Sequence, residues 1–410
     1  MPVLPPAGPT RVLSVATLVN TVGTGLFITG SALFFTRSIG LSVGQVGLGL
    51  TVAGLLGLLV GVPAGHLADR RGAREVLVAL LVLQGAAMAS FVLVGSFTSF
   101  LLVAAAYTAV ERASNAVRQG LVAAALPPEQ RVEGRAYLRA VTNLGIAGGA
   151  ALAGLALQAD SREAYLALVL GNAVSCVLAA GVLLRLPAGV RRTAAEAGSM
   201  LLALRDRPYV AVTAVNAVLG LHYALLEVAV PLWVVRHTEA PISVVALLFL
   251  VNTACCVLLQ VRVSRAAVDV PSSARAVRRG GVLLAASCLV FAASGGRSAG
   301  LAVALLVLAA LVNVAGELYQ AAGSWGLGFG LAPEHAQGQY QGLFSTGMAA
   351  SSGLGPLLVT ATAVQGAWGW AVLAAVFALG GAAVVPVVAW AQQSRALVAA
   401  QPAGAAPTGR

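Results

Sequence analysis

The chain has 410 residues, 59% of them hydrophobic and only 10% charged, with a mean hydropathy of +0.90 and a formal net charge of +11. Soluble domains carry about 25% charged residues, so a water-soluble enzyme, a secreted domain and a disordered scaffold are excluded, and a polytopic membrane protein remains. All 25 basic residues are Arg; with no Lys there is neither a Walker A phosphate site nor Schiff-base chemistry.

In chain order, twelve continuous apolar segments follow one another. They cover roughly 12–36, 43–66, 75–95, 98–123, 138–158, 164–186, 209–235, 242–262, 279–296, 299–330, 340–363 and 367–391, each of a length that crosses a bilayer as an α-helix. The pattern is not the ten-residue alternation of a membrane β-barrel. Met1 to Arg11 is Pro-rich, without the apolar stretch and small-residue cleavage site of a secretory leader, so the first segment is expected to be retained. The longest loop, 187–208, divides the chain, and its Met200-Leu201-Leu202-Ala203-Leu204 run is expected to lie on the membrane surface. The expected organisation is a six-helix lobe over 1–186, an inter-lobe loop over 187–208, a second six-helix lobe over 209–391 and a cytoplasmic tail over 392–410. Cys176, Cys255, Cys256 and Cys288 all fall inside apolar runs without ligand spacing and read as small core hydrophobes. No metal and no cofactor is expected.

Arginine placement sets the orientation. With both termini cytoplasmic, that side holds 19 Arg, including Arg11, Arg70, Arg71, Arg74, Arg131, Arg135, Arg139, Arg191, Arg192, Arg395 and Arg410. The other side holds four, Arg37, Arg162, Arg236 and Arg297, and Arg112 and Arg118 fall inside the fourth segment. This is the positive-inside bias of a multi-pass protein, and it accounts for the charge without nucleic acid. The Arg-only, Ala/Gly-rich composition suggests a GC-rich bacterial genome and hence the cell (cytoplasmic) membrane. Trp233, Trp368, Trp370 and Trp390, near segment ends, are expected as interfacial anchors.

The halves repeat. Thr17-x-Val19-Asn20-x-Val22 returns as Thr213-x-Val215-Asn216-x-Val218; Leu101-Leu102-Val103-x-Ala105-Ala106 returns as Leu305-Leu306-Val307-x-Ala309-Ala310; Pro128-Glu129 returns as Pro333-Glu334. Three matches in order, spaced by about half the chain, imply two parallel six-helix halves related by an axis along the membrane normal.

At the end of the second segment stands Gly65-His66-Leu67-Ala68-Asp69-Arg70-Arg71-Gly72-Ala73-Arg74. This resembles the loop 2–3 signature of the major facilitator superfamily, with Ala73 in place of a usual basic residue. The resemblance covers nearly the whole chain and implies an all-α integral membrane fold, twelve transmembrane helices in two pseudo-symmetric six-helix lobes. It implies a conformational latch at Gly65, Asp69, Arg70, Gly72 and Arg74, with Arg118 as the candidate partner of Asp69. Physically, Gly57, Gly61 and Gly65 recur every fourth residue and lay a small-residue stripe for a close helix neighbour, and Asp69 continues it where a carboxylate can cap a helix N-terminus. Gly145-x3-Gly149 and Arg112-x-x-Asn115 partly resemble signatures of the superfamily's drug/proton antiporters; the Pro of the glycine motif is missing.

Charges inside the membrane are functional candidates because each costs about 2.5–3.5 kcal/mol there. Tyr107, Glu111, Ser114 and Arg118 share one face of the fourth helix, and Asn313, Glu317, Gln320 and Ser324 share the equivalent face of the tenth. In the superfamily the first, fourth, seventh and tenth helices line the central cavity, which adds Asn20 and Asn216. The cavity candidates are Asn20, Tyr107, Arg112, Asn115, Asn216, Asn313 and Gln320. The proton-coupling candidates are Glu317, mid-depth with no charge adjacent in sequence and so the leading carrier, then Glu111, then Glu227, which lies near Pro231 and is expected to gate. His222 reads as a polar packing residue, while His66, His237 and His335 sit in loops.

An intramembrane enzyme is the rival from another class. Gly296-Arg297-Ser298-Ala299-Gly300 matches the hydrolase elbow, but that elbow needs a strand-to-helix turn, and here it sits in a short loop between helices. A non-transporting receptor leaves the paired polar stripes unexplained. The resemblance therefore implies no enzyme but a monomeric secondary transporter, expected to be a proton-coupled exporter of a small amphiphilic or cationic molecule. The alternative is an importer or facilitator of a small polar metabolite.

Overall fold

The computed structural model describes residues 8–158, 161–188, 199 and 201–400. Arg191, Arg192, Met200 and Arg410, with half of the expected inter-lobe loop and the end of the tail, lie outside these. The first half comprises α1 (Pro9–Leu33), α2 (Val43–Gly57), α3 (Gly61–Arg71), α4 (Ala73–Ala89), α5 (Phe97–Ala125), α6 (Pro128–Leu157) and α7 (Arg162–Leu183). The second comprises a single turn, α8 (Leu202–Arg205), then α9 (Arg207–Gly220), α10 (Val230–His237), α11 (Val244–Ser264), α12 (Val270–Ala293), α13 (Ala299–Gly330), α14 (Gln337–Thr362) and α15 (Ala367–Ala400). No strand is present among the described residues. This is the outcome lipid enforces, because every backbone polar group in the bilayer core must be satisfied within its own segment.

Among the described residues, nine helices are long and apolar enough to cross a bilayer. The α2–α3 pair, bent by 46°, makes a tenth. The bend has a local cause: Pro63 has no N–H to give Leu59 four residues back. The long helices α5 and α14 complete twelve spans; α5 carries Glu111, Arg112 and Arg118 inside it. Span seven runs from α9 to α10 through an irregular turn and a π turn, Leu225–Ala229, next to Pro231. Helix starts are chemically marked: Ser42, Ser96 and Asp269 build capping boxes, and Ser161 and Asp206 accept a backbone N–H.

Most buried apolar residues segregate by lobe, apart from a small cluster of Val132 with Ala267 and Ala322. One cluster, with Val62 as its sole first-half member, runs from Ala203 to Ala391, and two others lie almost wholly within residues 13–186. Within the first lobe α1 crosses α6 closely, where a Cβ on Gly149 would strike the Val22 carbonyl and one on Gly145 the Thr21 hydroxyl. The glycines of the Gly145-x3-Gly149 motif therefore have a packing role between α1 and α6.

Two expectations are corrected. Trp233 and Trp370 are not interfacial anchors but core residues, 2% and 0% exposed; Trp233 donates to Ser294 Oγ at 3.0 Å, and the two indoles meet edge-on. Trp368 and Trp390 are exposed. Second, α6 and α12 begin about ten residues before their apolar segments, at Pro128 and Val270. Hydropathy marks the stretch that tolerates hydrocarbon, whereas helical hydrogen bonding continues through the Arg-bearing turns before it. Arg135 and Arg139, counted above among the cytoplasmic arginines, consequently sit on a helix that carries them into the interior.

Candidate functional site

The lobes meet first where the arginines gather. The α3 stripe faces α14, which answers with small residues of its own at the same spacing. A Cβ on Gly65 would strike the Gly338 carbonyl, and one on Gly342 the Gly61 carbonyl. At this crossing Asp69 reaches the first turn of α14. The Gly338 N–H donates to Asp69 Oδ1 at 2.7 Å and the Gln339 N–H to Oδ2 at 2.9 Å. The residue at the N-cap position of α14 is Ala336, which has no side-chain acceptor. Asp69 therefore supplies from the other lobe the cap that the helix lacks, with a negative charge at the positive end of the helix dipole. Around this contact, Arg131 of α6 forks onto Glu334 at 2.8 and 3.0 Å, Gln119 donates to Ser345 at 2.9 Å and Arg265 meets Glu133 at 2.9 Å.

The other members of the motif stay within the first lobe. Gly72 turns the chain between α3 and α4 at φ 95°, a left-handed conformation that needs glycine. Arg74 donates to the Leu186 carbonyl at 2.5 Å and pairs with Glu75 at 3.1 Å. Arg70 lies with Arg71 along a groove on α3 and α4. Arg118 is not the partner of Asp69; it donates to Asn20 Oδ1 at 2.7 Å, deeper in the lobe.

At mid-depth a second link joins the lobes. Arg139 of α6 forms an ion pair with Glu317 of α13 and donates to the Tyr223 hydroxyl at 2.7 Å. Glu317 also accepts from Asn252 Nδ2 at 2.9 Å and from the Cys256 thiol. The carboxylate is buried, and Arg139 further faces the rings of Tyr223 and Trp325. Glu317 is thus not isolated from charge. Its counter-charge comes from the other half of the chain, on the helix turn that hydropathy placed outside the membrane.

Between these contacts and the opposite face lies a cavity of about 330 Å³, walled by α1, the α2–α3 bend, α4, α5, α6 and α14. Of the expected cavity residues it brings together Asn20, Arg112 and Asn115, with Glu111 and Arg118 beside them. Glu111 accepts from Asn115 Nδ2 at 2.8 Å and lies 3.8 Å from Arg112 Nε. Arg135, Gln119 and Ser345 also line it; sequence reasoning missed Arg135 because α6 was started too late and Ser345 because α14 offers no charge, and it passed over Gln119, one residue beyond the polar stripe of α5.

Four expected cavity residues do not line it. Tyr107 belongs to a ring cluster with Phe27 and Phe91. Gln320 donates to Asn216 at 2.8 Å, and Asn216 to the Met348 sulfur; Asn313 donates to Ser287 at 3.3 Å. These three amides are spent between neighbouring helices of the second lobe. Glu227 is exposed on the π turn of span seven. His222 is buried, with Nδ1 2.7 Å from the Leu219 carbonyl and its ring against Tyr223. Among the described residues no group of His, Cys, Asp and Glu could hold a metal.

Solved structures share this fold, among them these three. The human organic anion transporter MFSD10 (TETRAN) superposes with a TM-score of 0.71 at 16% identity, over 92% of this chain and 99% of its own. A bacterial homologue of the iron transporter ferroportin in the outward-facing state superposes with a TM-score of 0.76 at 15% identity, over 94% and 99%. FucP, in the outward conformation, superposes with a TM-score of 0.70 at 16% identity, over 93% and 98%. At such identities the likeness is one of fold. No curated protein matches the sequence. The family assignment comes from the sequence itself, which matches the Major Facilitator Superfamily over residues 13–356, most of both lobes. The two-lobed helical fold, the cavity between the lobes and that match agree: the chain belongs to the major facilitator superfamily, a family of membrane transporters and not of enzymes.

Proposed function

We propose that the protein is a proton-coupled secondary transporter that works by alternating access, exporting a small molecule in exchange for protons. The observation that carries this reading is the Arg139–Glu317 ion pair, which joins the lobes beside a polar cavity. Ionised Glu317 holds Arg139 and with it the closed, arginine-rich side. A proton on Glu317 removes the charge that holds the guanidinium, so the lobes can part on that side. Asp69 at the start of α14 and the Gly65–Gly338 crossing act as the latch of the same closure. By the arginine count the closed side is cytoplasmic, with both termini there. The structure then stands for the outward-facing state, the state in which the ferroportin homologue and FucP are described.

The neighbours are an organic anion transporter, a homologue of an iron transporter, and FucP, so they select no cargo for this chain. A cationic cargo, expected from the drug-antiporter resemblance, is disfavoured by a cavity that holds three arginines against one carboxylate. The test is flux in proteoliposomes under an imposed pH gradient. The wild type should lose flux when a protonophore is added, and Glu317→Gln should lose the proton dependence. Full proton-coupled flux in Glu317→Gln would remove the assignment; wild-type flux indifferent to the protonophore would make the protein a facilitator.

A further inference from the structure

The charge lining the cavity is unbalanced in a way that no group among the described residues repairs. Four charged side chains line it: Arg112 and Arg118 of α5, Arg135 of α6, and Glu111 of α5. The carboxylate is already engaged, by Asn115 at one oxygen and by Arg112 at the long distance of 3.8 Å at the other. Arg118 gives one N–H to the neutral Asn20 amide. Among the described residues Arg135 has no hydrogen bond and no ion pair; its guanidinium lies over the Trp325 ring, 5.8 Å from the centroid. The Nε atoms of Arg112 and Arg135 are buried without a hydrogen-bond partner. Each guanidinium carries five N–H donors, so most of this set is unspent. Guanidinium groups inside a membrane protein without a matching acid are costly.

The neutral lining is of the opposite polarity. Thr21 donates its hydroxyl hydrogen to the Thr17 carbonyl at 2.8 Å, Thr24 to Asn20 at 3.1 Å, Thr142 to Leu138 at 2.8 Å and Thr346 to Gly342 at 3.0 Å. With the hydrogens turned back onto their own helices, the oxygens present lone pairs to the cavity. The wall thus offers charged donors from one set of side chains and neutral acceptors from another. At about 330 Å³ the space is at the small end of ligand pockets, which run from about 300 to 1,000 Å³.

Building on the transport reading above, we propose that the cargo is a small hydroxylated organic anion. Its carboxylate or phosphate group is held by Arg112, Arg118 and Arg135, and its hydroxyl groups donate to the threonine oxygens. Planar guanidinium forks match such oxyanions in pairs of hydrogen bonds. With Glu111 ionised, the three arginines leave an excess of two positive charges, so a dianion fits as well as a monoanion. A large apolar cation finds neither its counter-charge nor its volume here.

The test is binding to the purified full-length protein in detergent, read by the thermal unfolding midpoint and by calorimetry. The probes are gluconate, malate and glycerol 3-phosphate, with inorganic phosphate, glucose and tetraphenylphosphonium as comparisons. The three organic anions should raise the midpoint in a concentration-dependent way, and glucose and tetraphenylphosphonium should not. Arg112→Gln and Arg135→Gln should each weaken anion binding by about 10- to 100-fold, the value of a lost hydrogen bond to a charged group. Arg135→Lys keeps a positive charge should the Gln variant fail to fold, and should bind more weakly than wild type because it lacks the planar fork. Stabilisation by tetraphenylphosphonium but by no anion would overturn the proposal. So would inorganic phosphate binding as tightly as the organic anions, anion binding indifferent to the arginine variants, or no anion shift at millimolar concentration. Anion binding without flux would reject the transport reading while leaving the cargo class standing, and flux of a cation or a neutral sugar would do the reverse.

Discussion

Asp69 closes the second span of the first lobe and Asp269 opens the third span of the second lobe, on either side of the connection between those spans, and they do different work. Asp69 caps α14, a helix of the opposite lobe. Asp269 caps α12, its own helix, by accepting the Ser272 N–H at 2.7 Å. From the second-lobe loop only Arg265 makes a hydrogen bond or ion pair to the first lobe, through the exposed pair with Glu133, among the described residues. The polar stripes of α5 and α13 diverge in the same way. Arg118 and Glu111 open onto the cavity, while Asn313, Glu317 and Gln320 are bonded to neighbouring helices. A repeated sequence thus specifies the same helices twice without repeating their chemistry. The first lobe supplies most of the cavity wall and the Asp69 cap, and the second supplies Glu317 and the start of α14 that are held.

The comparison breaks most severely at Glu317. Glu317→Ala leaves Arg139 buried without its acid and should cost about 3–5 kcal/mol of stability, the usual loss when one partner of a buried pair is removed. Thermal or denaturant unfolding in detergent measures it. Combining Glu317→Leu with Arg139→Met removes both charges and should restore most of that loss, since apolar replacements of buried pairs are commonly neutral or better. If the double variant is as unstable as the single one, the pair is not what holds the lobes at mid-depth.

A smaller effect is expected at the helix crossing. In Gly65→Val the new side chain meets the Gly338 backbone, which cannot rotate away. Overpacking of this kind costs about 1–3 kcal/mol, and here it should be spent in separating the lobes. The second-lobe position Ser264, where the chain leaves α11, is buried with its hydroxyl donating to the Val261 carbonyl of its own helix at 2.7 Å, and Ser264→Ala should leave the lobes together. Hydrogen exchange at residues 338–341 separates the two outcomes, rising in the first variant and unchanged in the second.

Much of the fold was legible. Twelve apolar runs, the positive loops and the spacing of Gly57, Gly61 and Gly65 needed only local composition. The partner of that stripe was also within reach, because Gly338 and Gly342 repeat its spacing on α14. The site was less legible for two physical reasons. Helix ends do not follow hydropathy, so Arg135 and Arg139 were placed outside the membrane when the helix carries them in. Pairing between residues 178 apart, as in Arg139–Glu317, leaves no trace in local sequence. Periodicity located the polar stripe of α13 correctly but could not say that Gln320 donates to Asn216, so that neither amide lines the central cavity.

The loops themselves provide the finer tests. Asp69→Ala removes the cap of α14 and should cost about 1–2 kcal/mol at that helix end, seen as faster exchange of the Gly338 and Gln339 amides. Asp269→Ala should act only on the first turn of α12. The Asp269 carboxyl is held below the ordinary carboxylate range by hydrogen bonds from Ser272, with Arg275 nearby. A lowered native value means that the folded state binds the proton less readily than the unfolded one. The stabilisation from this cap is therefore present above about pH 4 and fades as pH falls through the lowered value. Acidification should release the Ser272 amide while the Asp269→Ala variant, its cap already gone, shows no such transition. The amides at Gly338 and Gln339 should be indifferent to Asp269→Ala at neutral pH. If they respond, the two loops are coupled across the lobes, and the second lobe also takes part in holding the first.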